Sequence, residues 1–553
     1  MSVVDNGQQS SGSGRNGKGH QVNGLLRWAP IGAAVLYLTF ALLMGANRVG
    51  LHYDEAIVQH GAVHMLNSAS EPTFAHHSGS WVRIAGRYWP LAIIPYAGAV
   101  KDYILLLPFA IFGPSAEVAR SVNALLGAFG IFGIATLLRR EISGRVAAAV
   151  GFILAIHPAY ISQTLFDYGV VVVWMAILGF ISVAIAYYKK RQSAFAASLI
   201  GLAMGVGVWN RVNFVWFLAS ALIALVIVLG KRLLIPPSHI GALICGGVIG
   251  VFPMLLFQIL SRGSLVAFYR FGQQDVSLSS LLPFRVVRLS ETLLCDGEQR
   301  WIWNGPSMPA WQPYLFSGLL ILALSVCVAL GRTSDEKDIS WRRSTSITFV
   351  VFAAMMFLSK FNVADHHLVT LVPIAAVAVV LAIRALISRW RQVRVLAVAV
   401  AVVYAASALY WNVAAAKGLR ATGGVDPWSD AIYSVSDYLT ANCEGREIKI
   451  LDWGLQNNLF VLSNARIKSS EVFWGATRER DGSGTPWSEV VSEGGVYLIG
   501  SWSRVPREAP EGFLAALTAS GRTYNRIEFR QKGGAPYVEL IEIPSPQKSQ
   551  PNL

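Results

Sequence analysis

The chain is a series of apolar runs, most of them long enough to cross a bilayer, separated by short and mostly basic connectors. No other feature constrains the fold as tightly. In hydrocarbon the backbone must satisfy its own hydrogen bonds, so runs of this kind become helices packed on one another. About eleven spans of roughly 17–22 residues can be marked. They lie near 28–46, 116–138, 146–162, 168–188, 193–209, 212–230, 238–260, 313–331, 345–361, 367–388 and 394–412. The first run is longer than a signal-peptide core and lacks a clear cleavage site, so it reads as retained. Residues 1–24, rich in Gly, Ser, Asn and Gln, read as a disordered cytoplasmic tail.

Alternate loops share a side. One set holds Arg139, Arg140 and Arg145; Lys189, Lys190 and Arg191; Lys231 and Arg232; Arg332, Lys337, Arg342 and Arg343; Arg384, Arg389, Arg391 and Arg394. The positive-inside rule makes that set cytoplasmic. It also explains a net charge of +14 in a chain that is 54% hydrophobic and 14% charged, without invoking nucleic acid. Three larger segments then lie outside: 47–115, 261–312 and 413–553. In the first, Leu91 to Phe112 is moderately apolar but broken by Pro95, Pro108 and the Lys101-Asp102 pair. It reads as interfacial helix, because counting it as a span would put the arginine clusters outside. The sequence thus describes a polytopic α-helical membrane domain over 25–412, in a plasma (inner) membrane, with the C-terminus outside.

The tail from 413 to 553 changes character. Short strand-like runs at 448–451, 495–499 and 537–541 alternate with helical segments at Ala431 to Leu439 and Gly512 to Ser520. This is the pattern of a small outer α/β domain. It shows no Gly-rich phosphate loop or nucleophile elbow, so a structural or substrate-positioning role is expected. Cys245 and Cys327 lie in apolar runs; Cys295 and Cys443 lie in outer segments, and position alone does not show whether they pair.

Asp54 and Glu55 follow the first span, near the membrane–water boundary. As a cap, such an acid needs no further explanation. As a catalyst, Asp54 can take the proton that an alcohol loses when it attacks a sugar, with Glu55 supporting from another face of the helix. Lys101 reads either as a snorkelling anchor or, with Asp102, as a ligand for a lipid phosphate. Arg83, Arg87, Arg262 and Arg270 are further outer cations with the same choice of roles. Asp167, near His157-Pro158, and Asp365-His366-His367 are outer polar clusters that can contact a sugar, phosphate or acceptor; Asn210-Arg211 joins them more weakly. His52, His60, His64, His76 and His77 enrich the first loop. His60 and His64 can share a helix face, but the company of a zinc motif is missing, so no metal is assigned.

These features together resemble the GT-C superfamily of membrane glycosyltransferases, in the branch of protein O-mannosyltransferases and bacterial aminoarabinose transferases. An acidic pair follows the first span. Tyr96-Ala97-Gly98-Ala99-Val100-Lys101 stands in the first outer loop, and Phe112-Gly113-Pro114-Ser115-Ala116-Glu117-Val118-Ala119-Arg120 looks like the family's entry to its second span. His157-Pro158 and Asp167 come next, and His366-His367 leads to Pro373. The likeness covers about residues 25–412. It implies Asp54 as catalytic base, Lys101 as a phosphate ligand, a polyprenyl-phosphate sugar as donor and inversion at the anomeric carbon. His366-His367 stands where the family usually has Arg-Tyr, and Ala99-Val100-Lys101-Asp102 where the aminoarabinose enzymes have Glu-Lys-Pro. The sugar and the glycan, lipid or protein acceptor therefore stay open, and no cofactor is expected. A flippase, transporter or polymerase is the competing class. It should place ionisable groups at mid-membrane or in repeated halves, neither of which is seen. A non-catalytic scaffold does not explain acids and cations converging on one face.

Overall fold

The computed structural model describes residues 24, 26–45, 48–67, 79–230, 235–271, 277–295, 297–309, 311–329, 336–361, 363–473, 486–502 and 508–545. Every marked apolar run falls on helix. Among the described residues, six helices are long and apolar enough to cross a membrane unaided, or seven if one bent pair counts as a single span. Ala29–Gly45, Ala194–Asn210 and Phe214–Leu229 are apolar but shorter. Glu336–Leu358 begins with charged turns, its Arg342 lying 3.6 Å from Asp338 one turn back. About eleven is therefore the number of apolar helices rather than of full-length spans.

The bent pair is Gly144–Ile156 and Pro158–Phe166, turned by 61° at His157. The sequence reading ran one span straight through this point. Proline lacks the N–H that a continuing helix needs, but it is tolerated at a helix start. His157 therefore caps a new helix, its Nδ1 accepting from the Tyr160 N–H at 3.4 Å. The second helix is buried along its whole length. It ends at Asp167, which adopts the left-handed conformation with φ 46°.

Close helix packing rests on small residues, as is usual between membrane helices. A β-carbon on Gly133, in Ala116–Glu141, would overlap the carbonyl of Gly179, in Val171–Arg191. The cations gather at one end of the bundle. There Glu141 bridges Lys189 (2.5 Å) and Lys337 (3.3 Å).

Between Gly45 and Ala116 the chain builds a platform at the opposite end. Helix Tyr53–Asn67 is followed by the hairpin of β1 (Trp81–Ile84) and β2 (Arg87–Pro90) and the short pair β3 (Ala92–Ile94) and β4 (Ala97–Gly98). Helix Val100–Phe112 closes it. With 13 residues this helix spans about 20 Å, short of a bilayer. It leaves Leu107, Ile111 and Phe112 exposed along one side.

After Val393–Thr422 comes a five-stranded sheet: β5 (Glu447–Ile450), β6 (Lys468–Glu471), β7 (Gly495–Gly500), β8 (Asn525–Arg530) and β9 (Pro536–Ile543), in spatial order 6-5-7-9-8. β5 runs parallel to β6 and β7, and β9 antiparallel to β7 and β8. The sheet shares a core with the platform, in which Leu51, Ala62, Val63 and Phe109 pack with Ile448, Leu459 and Leu540. Tyr433 donates to the Val49 carbonyl at 2.8 Å, and Asn458 to that of Leu51. Cys295 and Cys443 are both buried and form no disulfide.

Candidate functional site

The site begins at Gly50, whose N–H donates to the Trp428 carbonyl at 2.8 Å. A β-carbon there would overlap the Ser429 carbonyl, so only glycine lets the chain turn this close. Asp54 and Glu55 fall in the first turn of Tyr53–Asn67, where the helix dipole favours carboxylates. Neighbours on a helix point about 100° apart, so the two acids meet different surroundings. Glu55 is fully buried and takes both prongs of Arg120, at 2.9 and 2.8 Å. Arg120 also donates to the carbonyls of Val49 and Gly50, tying the turn to the second long helix.

Asp54 keeps 38% of its side chain exposed. It lines a cleft of about 700 Å³ with Tyr168, Arg288, Glu291, Trp301, Asp365 and His366, among others. Its N–H donates to His52 Nδ1 at 3.0 Å. His52 is buried and stacked on Trp428 at 4.4 Å, which holds the helix start rigidly. On the cleft wall Arg288 grips Asp365 at 2.7 Å, and Thr292 donates to the other carboxylate oxygen at 3.3 Å. Burial works against the Arg288 charge, but Asp365, Glu298 and Glu291 outweigh it and raise its pKa. Burial raises the Glu291 pKa, with Arg288 pulling the other way.

A second cleft, about 220 Å³, adjoins the first along Val363, Ala364 and His366. Its walls are aromatic: Tyr96, Trp216, Phe268, Tyr269 and Phe361. Its one guanidinium is Arg211, 2% exposed, which donates to the Gly169 carbonyl at 2.7 Å and lies 2.8 Å from His367 Nε2. A neutral His367 ring accepts at one nitrogen only: at Nδ1 from the Ala364 N–H, with the proton on Nε2, or at Nε2 from Arg211, with the proton on Nδ1. Arg211 makes no ion pair among the described residues, and its Nε has no partner. A buried guanidinium without a carboxylate is costly unless an anion completes it.

The other expected residues are placed as follows. Lys101 Nζ lies 2.6 Å from Asp167 Oδ2; both side chains are fully buried, and neither lines either of these two clefts. Asp167 also accepts from the Val172 N–H at 2.8 Å, so the pair is a satisfied brace between the platform and the bundle. Asp102 turns away from both clefts and presses on helix Tyr53–Asn67, accepting from the Ala62 N–H at 3.1 Å. A β-carbon on Gly61 would come within 2.6 Å of its carboxyl. Burial pushes the Asp102 pKa up to about 7, with the Ala62 and Gly61 N–H groups and Lys101 pulling it back. Arg83 and Arg262 are exposed and line neither cleft. His366 lines both clefts and His367 the second. His60 and His64 are buried against Phe460 and Trp81, and His76 and His77 lie outside the described residues.

Arg288, Glu291 and Trp301 were not singled out from the sequence, and Arg211 only weakly. One signal was available. Arg288 and Glu291 are three apart on an amphipathic helix in an outer segment, and so share a face.

The family model described as dolichyl-phosphate-mannose-protein mannosyltransferase matches residues 98–257. The fold is similar to that of ArnT from Cupriavidus metallidurans bound to undecaprenyl phosphate, with a TM-score of 0.59 at 14% identity over 92% of this chain and 98% of that one. The apo state of ArnT gives 0.58 at the same identity and coverage. Archaeal AglB from Archaeoglobus fulgidus, in complex with an inhibitory peptide and a dolichol-phosphate, covers 96% of this chain and 75% of its own at 14% identity and a TM-score of 0.49. No curated protein matches the sequence. The chain thus shares the fold of the ArnT structures.

Proposed function

We propose that this protein transfers a sugar from a polyprenyl-phosphate carrier to an acceptor hydroxyl at the outer face of the membrane, with Asp54 as general base. One observation carries the reading. A carboxylate on a rigid helix start opens into a polar cleft, and that cleft adjoins an aromatic one containing an uncompensated guanidinium. The first suits an acceptor and the sugar being moved; the second suits a lipid phosphate. The shared fold with ArnT bound to undecaprenyl phosphate supports the same division. The basic end of the bundle supports an outward-facing site.

In this reading the acceptor oxygen attacks the anomeric carbon from the Asp54 side and its proton passes to the carboxylate. The bond from that carbon to the phosphate oxygen breaks, and the phosphate leaves with the electron pair. Attack opposite the leaving group inverts the anomeric centre. Arg211 stabilises the charge gathering on the phosphate. Lys101, Asp102 and Asp167 support the site from beneath, and Glu55 fixes the direction of Asp54 through Arg120. Trp301 offers a face on which a sugar ring can rest.

The test is transfer by purified protein in lipid, supplied with radiolabelled polyprenyl-phosphate sugars. Asp54→Asn should lower turnover by roughly 100- to 10,000-fold, as loss of a positioned base does. Undiminished transfer by that variant rejects the base assignment.

A further inference from the structure

At the opposite end of the bundle lies a cleft of about 670 Å³ that the proposed transfer does not use. Arg145, Arg384 and Arg394 line it. Val380, Ile383, Arg384 and Ile387 recur at positions 0, 3, 4 and 7, so one face of Val372–Arg389 forms a wall of apolar side chains carrying one guanidinium. Leu26 and Val146 extend the apolar surface. Val372–Arg389 is preceded by Asp365 and His366, which line the Asp54 cleft, so its other end places this cleft at the far headgroup level of the same membrane.

Topology alone accounts for arginines at this end. It does not account for three of them lining one cavity over an apolar wall. Of the carboxylates at this end, Glu141 holds Lys189 and Lys337, and Asp338 lies 3.6 Å from Arg342 and 3.5 Å from Arg384, so Arg384 reaches the cleft with part of its charge already met. Arg145 and Arg394 form no ion pair among the described residues. Guanidinium forks match phosphate oxygens, and basic pockets between helices on the cytoplasmic side are where anionic headgroups bind.

We infer that this cleft binds the headgroup of an anionic phospholipid from the cytoplasmic leaflet, its phosphate against Arg145, Arg394 and Arg384 and its glycerol and upper acyl carbons against the Val380–Ile387 face. The inference shares the orientation of the proposed function but not its chemistry.

The experiment measures the thermal unfolding midpoint of the detergent-purified full chain. Phosphatidylglycerol, phosphatidylcholine with the same acyl chains, and inorganic phosphate are titrated separately. Phosphatidylglycerol should raise the wild-type midpoint, while the other two leave it near its starting value. In the Arg145→Gln/Arg394→Gln variant the half-saturating phosphatidylglycerol concentration should rise about 30-fold, as removing two cations near an anionic surface implies. Both side chains are exposed, so the lipid-free midpoint should be unchanged; the single Arg394→Gln variant serves if the double one does not fold. An unaltered lipid response in the variants overturns the site. An equal response to phosphatidylcholine rejects headgroup recognition, and an equal response to inorganic phosphate assigns the cleft to a free anion. Sugar transfer, read in parallel, should be the same in wild type and variants, so a failure here is separable from one at Asp54.

Discussion

Asp54 and Glu55 are neighbours in sequence, yet they live in different chemical regions. Glu55 belongs to a sealed layer held by two buried ion pairs: Glu55 with Arg120, and Lys101 with Asp167. Asp54 belongs to the cleft above, where charges stay accessible and face a space large enough for a substrate. Burial with a full set of partners makes a charged group a brace, because moving it breaks several strong bonds at once. Partial exposure on a rigid element makes it available for reaction. A single residue step decides between the two fates, through the 100° rotation of a helix.

This contrast is broken most directly by removing each carboxylate's charge. Asp54→Asn should remove most of the transfer activity and leave the unfolding midpoint nearly unchanged, as its side chain is partly solvated. Glu55→Gln should do the reverse at the level of stability. It leaves the Arg120 guanidinium buried without its counter-charge, a change that costs about 3–5 kcal/mol. Thermal unfolding of the detergent-solubilised variants measures this. If Glu55→Gln proves as stable as wild type while losing all activity, Glu55 acts in the chemistry rather than in the scaffold. Lys101→Met should resemble Glu55→Gln, since it strands Asp167.

The sequence predicts these regions unevenly, for physical reasons. The helices are legible because hydrophobicity and length carry their signal. Strands β5, β7 and β9 are legible because they supply the centre of the domain core. Strands β6 and β8 were missed. Each lies at a sheet edge, and Lys468-Ser469-Ser470-Glu471 and Asn525-Arg526-Ile527-Glu528 carry the polar side chains that edges tolerate. The bend at His157-Pro158 is not legible in a hydropathy pattern, which ignores direction. Asp54 stood out because acids are few. Arg288 and Arg211 did not, because their meaning comes from Asp365 and His367, 77 and 156 positions away. Lys101 could be read from its sequence neighbours as an interface anchor or as a phosphate ligand, whereas its neighbour in space is Asp167.

Arg211 sharpens the comparison, because it is as buried as Lys101 but lacks a carboxylate. Arg211→Gln should therefore weaken donor binding, raising the apparent KM for the polyprenyl-phosphate sugar by roughly 10- to 100-fold, the value of charge-assisted bonds to a phosphate. Its effect on stability should be small, because no buried counter-charge is left behind. Steady-state kinetics against donor concentration separate this from Asp54→Asn, which acts on kcat. An unchanged KM with a large loss of stability would move Arg211 into the sealed layer.

The smallest effect concerns Asp102, the member of the sealed layer whose neighbours satisfy it least. Its pKa is raised from 3.8 to about 7, so the folded state binds its proton more tightly than the unfolded chain does. Between those two values the folded protein holds this proton more often than the unfolded chain, and the Asp102 contribution to stability falls as pH rises from 3.8 towards 7. Above that range the penalty is constant, because the carboxylate is ionised in both states. Asp102→Asn keeps an oxygen that can accept from the Ala62 N–H but cannot ionise. The variant should flatten this part of the profile and match or exceed wild type at pH above 7. Unfolding midpoints across that range test it. A wild-type slope of the opposite sign, or one that persists in Asp102→Asn, would show that Asp102 is not the group that titrates in this range.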